Sequence, residues 1–128
     1  MPLYYCTLAE GSTSREHRSR IAAELTRIHC ETTGAPPAFV HVFFVEARDA
    51  RLPEGKRAVV LGSIRAGRTP EQKQRLASGM SRAIAAILGR PVAEVSVATV
   101  EVPARWVMEG GQILPEPGEE EAWLARHA

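Results

Sequence analysis

The chain has 128 residues, 45% of them hydrophobic, and its acidic and basic side chains nearly cancel to a formal net charge of +1. This length and composition predict one compact domain with an ordinary core and exclude a disordered chain. The charge balance excludes a strongly basic surface for nucleic acid or an anionic membrane, and no apolar run could span a bilayer. Without a basic, apolar leader, a cytoplasmic location is expected. Cys6 and Cys30 lack ligand spacing, so no metal site is predicted.

The chain starts with Met1-Pro2, directly ahead of a short apolar run over residues 3–8 that predicts a strand. If Met1 is removed, Pro2 becomes a terminal secondary amine. An α-amino group has an ordinary pKa near ~8, so neighbouring charges can make such an amine an acid or a base near neutral pH. Proline also starts edge strands without any chemical role. Residue 2 alone leaves both interpretations open.

An internal repeat follows. Residues 14–46 align with residues 69–101 without a gap, and eleven of the 33 aligned pairs are identical, which is enough to indicate a duplication. In each copy a capping side chain, Ser14 or Thr69, begins a helix, and a glycine, Gly34 or Gly89, ends it. Apolar β-rich runs flank both helices and predict four strands, at residues 3–8, 39–45, 58–64 and 92–100.

Two successive β-α-β units predict an α+β fold, a four-stranded sheet with both helices on one face, because such crossovers are right-handed. We expect one domain over 1–128, with repeats at roughly 2–56 and 57–111 and a tail at 112–128. Residues 40–45 are apolar on both faces of their strand, so the open face of the sheet needs a cover. Another copy of the chain is the expected cover. We therefore predict an obligate homo-oligomer, and a duplicated subunit suits a trimer.

His29 departs from the repeat, because it aligns with the apolar Ile84. It lies four residues after Leu25 on the same side of the helix, so its side chain is expected to point inward or to line a pocket. A functional histidine and a core histidine bonded to a backbone carbonyl are both compatible with this position.

Arg65 and Arg68 also depart from the repeat, since Glu10 and Thr13 occupy the equivalent positions. They lie between a strand and the helix capped by Thr69. Cations just ahead of a helix N-terminus oppose its dipole, at a cost of roughly 0.3–1 kcal/mol each when exposed. A bound anion reverses that cost, so this pair predicts a carboxylate or phosphate site. Two arginines on a solvated loop are the alternative.

The segment at residues 103–111 lies outside the repeat and is predicted to be a short helical turn ended by glycines. Its Trp106 and Met108 make it partly apolar, so it is expected to dock over a pocket mouth and to carry Glu109 inward. The acidic run at residues 118–121 is expected to be a solvated helix start, with Trp123 and Leu124 as its packing anchor.

Several of these motifs occur in register along the duplicated chain: Pro2, residues 26–29 with 33–34, residues 64–68, residues 103–109 and residues 114–118. Together they resemble the tautomerase superfamily, and within it the cis-3-chloroacrylic acid dehalogenase group. The resemblance covers nearly the whole chain. It implies a homotrimer of tautomerase-like subunits, an amino-terminal proline as catalytic group, and no cofactor.

The resemblance also implies residue roles. Pro2 is expected to be the catalytic acid or base. His29, Arg65 and Arg68 are expected to bind and polarise a substrate carboxylate, and Glu109 to activate water. The dehalogenases place a tyrosine beside that glutamate, where this chain has Ala98. Water activation is therefore expected to be weaker here, whereas tautomerisation needs only the proline and the carboxylate clamp.

Three functions remain as hypotheses. The leading one is a cofactor-free tautomerase of small 2-oxo acids, with weak dehalogenase or hydratase side activity. The second is a cis-3-haloacrylate dehalogenase or hydratase that yields malonate semialdehyde. The third is a non-catalytic oligomeric module that binds small acids through Arg65 and Arg68.

Overall fold

The computed structural model describes residues 2–48 and 52–127, and Met1 lies outside the described residues. Within these ranges the strands of the main sheet are β1 (Leu3–Ala9), β2 (His41–Ala47), β3 (Ala58–Arg65) and β4 (Val95–Val102). Two long helices connect them, α1 (Arg15–Thr33) and α2 (Pro70–Leu88). A small hairpin of β5 (Met108–Glu109) and β6 (Gln112–Ile113) and a last helix α3 (Glu120–His127) follow.

The four long strands form one sheet in the order β2-β1-β3-β4. Strand β1 runs parallel to β2, β3 runs parallel to β4, and the two halves meet through the antiparallel pair of β1 and β3. Both helices pack on the same face of this sheet and against each other. The predicted α+β fold with a duplicated β-α-β unit is confirmed.

The helix ends follow the predicted caps. The Ser14 hydroxyl accepts a hydrogen bond from the His17 backbone N–H at 3.1 Å, and the Thr69 hydroxyl accepts one from Gln72 at the same distance. At the other end of α1, Gly34 has a φ of 79°, a left-handed conformation that favours glycine. The two helices therefore begin and end at equivalent points of the repeat.

The second strand of each repeat begins later than predicted. Residues Pro37–Phe39 and Val92–Glu94 form 3-10 turns, so β2 begins at His41 and β4 at Val95. Each turn follows a proline, whose fixed φ and missing N–H suit the start of a helical turn better than a strand. The predicted strands therefore began two residues too early for β2 and three residues too early for β4.

One cluster of buried side chains fills the space between the sheet and the helices. Tyr4 from β1, Leu25 from α1, Ile64 from β3 and Met80 from α2 are each 0% exposed. The open face of the sheet is also apolar. Strand register aligns Phe43, Tyr5, Leu61 and Ala98 in one row across all four strands.

The side chains of that row are exposed: Phe43 is 56% accessible, and Tyr5 and Leu61 are each 46% accessible.

No helix within residues 2–48 and 52–127 is both long and apolar enough to cross a membrane.

Candidate active site

The predicted site residues lie at one end of the sheet, where β1 begins and β3 ends. Leu3 pairs with Ser63 in the antiparallel register, so Pro2 lies beside the last residues of β3, which ends at Arg65. Pro2 is fully buried, and its carbonyl accepts a hydrogen bond from the His41 N–H at 3.0 Å. This contact continues the parallel pairing of β1 with β2 to the start of the described chain.

His29 points inward from α1, as its place in the repeat predicts, and it is 1% exposed. Its Nδ1 atom lies 2.6 Å from the Tyr4 hydroxyl, and the two rings meet edge to face. The neighbouring strand makes room for the tyrosine at Gly62, where a Cβ atom would lie 2.5 Å from the Tyr4 ring. The side chain that bonds His29 is therefore Tyr4, and sequence reasoning gave Tyr4 no role in the site.

The protonation of this pair follows from its surroundings. Burial raises the pKa of the Tyr4 hydroxyl far above its ordinary value, so the hydroxyl keeps its proton. Burial, with repulsion from Arg68 and Arg65, lowers the pKa of His29 from 6.5 to about 3, so the imidazole is neutral. A neutral ring that accepts from Tyr4 at Nδ1 carries its own proton on Nε2. We assign this tautomer because the hydroxyl proton of Tyr4 then has an acceptor, and in it His29 Nε2–H is a hydrogen-bond donor.

Arg65 and Arg68 are both buried, at 1% and 7% exposure. Gly67, between them, has a φ of 106°, which allows the sharp turn that brings both side chains to the same place. The Arg65 guanidinium lies over the Phe39 ring at 5.7 Å and donates from Nη1 to the Pro115 carbonyl. Arg68 donates from Nη1 to the Thr33 carbonyl at 3.3 Å. The alternative of two solvated arginines is excluded.

The structure supplies an anion for this pair from the chain itself. Glu120 Oε1 lies 2.5 Å from Arg65 Nη2 and 3.6 Å from Arg68 Nη2. The prediction of a solvated acidic run is wrong at this residue, which is 7% exposed, although Glu119 and Glu121 are exposed as predicted. Two buried guanidiniums attract the one carboxylate that the tail brings within reach, and the pattern of the acidic run does not identify which one that is.

Three buried donors in this group have no hydrogen-bond partner among the described residues: His29 Nε2, Arg65 Nε and Arg68 Nε. A buried polar group without a partner costs roughly 1–3 kcal/mol, and the cost is larger for charged groups. All three donate, and two belong to cations. The arrangement therefore favours an acceptor of negative charge, such as a small carboxylate.

Glu109 lies in a strand and not in the helical turn that was predicted for its segment. Only Ala104–Trp106 forms a helical turn, and Glu109 ends β5 just before the hairpin turn at Gly110 and Gly111, where both φ values are positive. Trp106 is 71% exposed, so it does not dock the segment onto its own subunit. Glu109 is half-buried and lines a cavity of about 250 Å³ together with Leu3 and with Phe43, which lies on the open face of the sheet. Pro2, His29, Arg65 and Arg68 are not among the residues that line it.

Ala98 lies away from the arginines. It faces outward on the open side of the sheet, in the row that contains Leu61. A larger side chain at this position would extend from the sheet face opposite the helices.

Cysteine, histidine and acidic side chains form no metal site in the part of the chain that the structure describes. Within the described ranges, no group of three or more His, Cys, Asp and Glu side chains could hold a metal ion. Cys6 and Cys30 are free thiols, and burial raises the pKa of the Cys6 thiol to about 12, as expected for a core residue.

Nearly the whole chain matches a known protein family. The family model Tautomerase_3, described as "Putative oxalocrotonate tautomerase enzyme", matches residues 1–127. No curated protein matches.

Among solved structures, N1, a member of the cis-3-chloroacrylic acid dehalogenase (cis-CaaD) family, is 33% identical with a TM-score of 0.88, over 97% of this chain and 91% of N1. Native Ps01740 is 35% identical with a TM-score of 0.77, over 84% of this chain and all of that protein. Q0 fused 4-OT, described as a wild-type symmetric trimer, is 24% identical with a TM-score of 0.79, over 88% and 95% of the two chains.

The family match spans nearly the whole chain, and N1 and Ps01740 each exceed 30% identity over most of it. The Q0 structure adds agreement in fold alone. The resemblance stated from the sequence motifs is thereby confirmed: this chain belongs to the tautomerase superfamily and is similar to its cis-3-chloroacrylic acid dehalogenase group.

Proposed function

We propose that this protein is a cofactor-free tautomerase of small 2-oxo acids, with Pro2 as its catalytic group once Met1 is removed. The observation that carries the proposal is a set of three buried donors on His29, Arg65 and Arg68 that have no partner within residues 2–48 and 52–127. They lie at the sheet end where Pro2 is buried. Membership of a superfamily of enzymes agrees with it.

In this mechanism the substrate carboxylate accepts hydrogen bonds from the two guanidiniums. The neutral amine of Pro2 removes the proton from the enol hydroxyl, the carbonyl forms, and the protonated amine returns the proton to C3. His29 Nε2–H and the arginines stabilise the negative charge that develops on the oxygen. The reaction consumes no other reactant.

The charge around Pro2 decides whether it starts as a base. Two guanidiniums in the neighbourhood favour the neutral amine, whereas a nearby carboxylate such as Glu109 favours the protonated one. A tautomerase acting on the enol requires the neutral amine, and a hydratase requires the protonated one. The pH profile of the enol reaction measures this balance.

The first test concerns the terminal amine. Intact mass establishes that Met1 is absent, and the enol of phenylpyruvate is then followed as it converts to the keto acid. We expect Pro2→Ala to reduce this rate by roughly 10²–10⁴-fold, the usual contribution of a positioned acid or base. Equal activity in a protein that retains Met1 contradicts the proline mechanism.

The second test concerns the carboxylate clamp. Arg68→Ala is expected to raise KM for carboxylate substrates by on the order of tenfold or more, because a charge-assisted hydrogen bond is lost in a buried site. Arg75→Ala is the matched control, since it removes an exposed arginine from the first turns of α2. The same KM in both variants contradicts a role for Arg68 in binding.

A second activity, hydrolytic dehalogenation of cis-3-haloacrylates, is favoured by two observations. N1 belongs to the cis-CaaD family, and Glu109 shares a cavity with Leu3, the residue that follows Pro2 in the chain. Water, activated by Glu109, adds to C3 while protonated Pro2 supplies a proton to C2, and loss of halide and a proton then yields malonate semialdehyde. Ala98, in place of the group's tyrosine, is expected to keep this reaction slow.

Glu109→Gln separates the two activities, because tautomerisation is expected to persist while halide release collapses. If neither reaction occurs and small carboxylates still bind, the non-catalytic acid-binding module is the better description.

We also propose a homotrimer. The apolar row of Phe43, Tyr5 and Leu61 is exposed in the single subunit, and an exposed apolar sheet face commonly marks an interface. Q0 fused 4-OT, a trimer, has the same fold.

A further inference from the structure

Glu120 is held firmly beside the two arginines. Its Oε1 atom contacts Arg65 at 2.5 Å, and its Oε2 atom accepts a hydrogen bond from the Gly118 backbone N–H at 2.8 Å. The Pro115 carbonyl accepts a second hydrogen bond from Arg65, so the segment ahead of α3 and the first residue of α3 each bind one terminal nitrogen of that guanidinium. The C-terminal tail thus orients Arg65 from two sides.

The carboxylate also changes the charge of the site. Arg65 and Arg68 contribute two positive charges, Glu120 contributes one negative charge, and His29 is neutral. These side chains together carry one net positive charge. In a buried site, one monoanion balances that charge, whereas a dianion leaves a negative charge without a partner.

We propose that Glu120 is a positioning and specificity residue, which orients Arg65 and restricts the site to substrates with a single carboxylate. The inference deepens the proposed function and rests on it. The ligand class follows from the chemistry: 2-oxo acids or unsaturated acids with one carboxylate and an uncharged remainder.

Glu120 is not a stand-in for the substrate carboxylate, because it leaves the relevant donors unused. It engages the terminal nitrogens of the arginines, and the Nε atoms of both arginines and Nε2 of His29 stay without a partner among the described residues. A substrate carboxylate can use these donors while Glu120 remains in place. Arg65 then bridges a permanent carboxylate and a transient one.

The test compares a monoanionic and a dianionic enol, those of phenylpyruvate and oxaloacetate, in Glu120→Gln. Glutamine keeps the shape and one acceptor oxygen, for either Gly118 or Arg65, and it removes the charge. We expect the ratio of kcat/KM for the dianion to that for the monoanion to rise about tenfold or more, mainly through KM, because one unit charge next to the second carboxylate is gone. Glu120→Asp keeps the charge and is expected to keep the wild-type ratio.

Glu121→Gln is the matched control, since it removes the same charge from an exposed neighbour. An unchanged ratio in a well-folded Glu120→Gln protein overturns the proposal. A KM for the monoanion that falls as much as the KM for the dianion also overturns it, because the charge of Glu120 would then not distinguish the two substrates.

A binding measurement separates failure of this inference from failure of the proposed function. Acrylate and maleate are titrated calorimetrically into the wild type and Glu120→Gln. If neither enol is turned over but maleate gains at least tenfold in affinity over acrylate in the variant, the selectivity stands and the tautomerase proposal fails. If the enols are turned over and the affinities for acrylate and maleate shift together, the proposal for Glu120 fails and the tautomerase proposal stands.

Discussion

Replacing Tyr4 with phenylalanine removes one hydroxyl from the interior and leaves the ring in place. That hydroxyl donates to His29 Nδ1 over 2.6 Å, between side chains that are 0% and 1% exposed. The variant therefore leaves a buried nitrogen without its donor, which costs about 1–3 kcal/mol. We expect the free energy of unfolding to fall by that amount, as measured by urea denaturation followed by circular dichroism.

The same variant tests the tautomer of His29. Without Tyr4 to donate to Nδ1, the neutral ring can move its proton from Nε2, and the donor proposed for the substrate is lost for part of the time. We expect the enol-to-keto rate to fall roughly tenfold, the lower end of the effect of losing such a supporting hydrogen bond. Nitrogen NMR of the imidazole reports the tautomer directly.

Tyr5→Phe is the matched control, because it removes a hydroxyl from the next residue, on the opposite and exposed face of β1. Equal denaturation midpoints for the two variants, together with an unchanged imidazole spectrum, would refute the claim that Tyr4 holds His29 in one tautomer.

Three further predictions concern packing, pH and assembly. Gly62→Ala places a Cβ atom 2.5 Å from the Tyr4 ring, so the free energy of unfolding should fall by about 1–3 kcal/mol, as measured by thermal unfolding. An unchanged stability contradicts the close packing of Tyr4 on this strand. The pKa of His29 is lowered from 6.5 to about 3 in the fold, so between these pH values the unfolded chain binds a proton that the folded chain does not. The contribution of His29 to stability is therefore full above pH 6.5 and declines as pH falls toward 3. In His29→Asn, the urea denaturation midpoint should depend less on pH over this range. Phe43→Glu puts a charge into the exposed apolar row and should dissociate the oligomer in light scattering; a mass equal to that of the wild type argues against this interface.

Much of the fold could be predicted from the sequence because its signals are local. A helix cap such as Ser14 acts over three residues, and a glycine such as Gly34 ends a helix through its own backbone conformation. The repeat supported each helix and strand twice, because the same pattern occurs in both copies. It also identified His29 as a polar residue at an inward position, and the structure buries that side chain.

The site was only partly predictable. Arg65 and Arg68 were found because they interrupt the repeat, and the motifs shared with a known family indicated Pro2. Tyr4 lies within the apolar run that predicted β1, and nothing in that run separated it from its neighbours. Glu120 gave no signal that separated it from the exposed acids on either side.

Spacing along the chain determined the order of the elements, their faces and the inward direction of His29, since backbone hydrogen bonding and side-chain periodicity act between near neighbours. Only the tertiary structure decided which groups share the buried charge. Glu120 and Arg65 are 55 residues apart in the sequence and meet through the path of the tail after β6. An ion pair depends on separation in space and on exclusion of water, and neither can be read from positions in the chain.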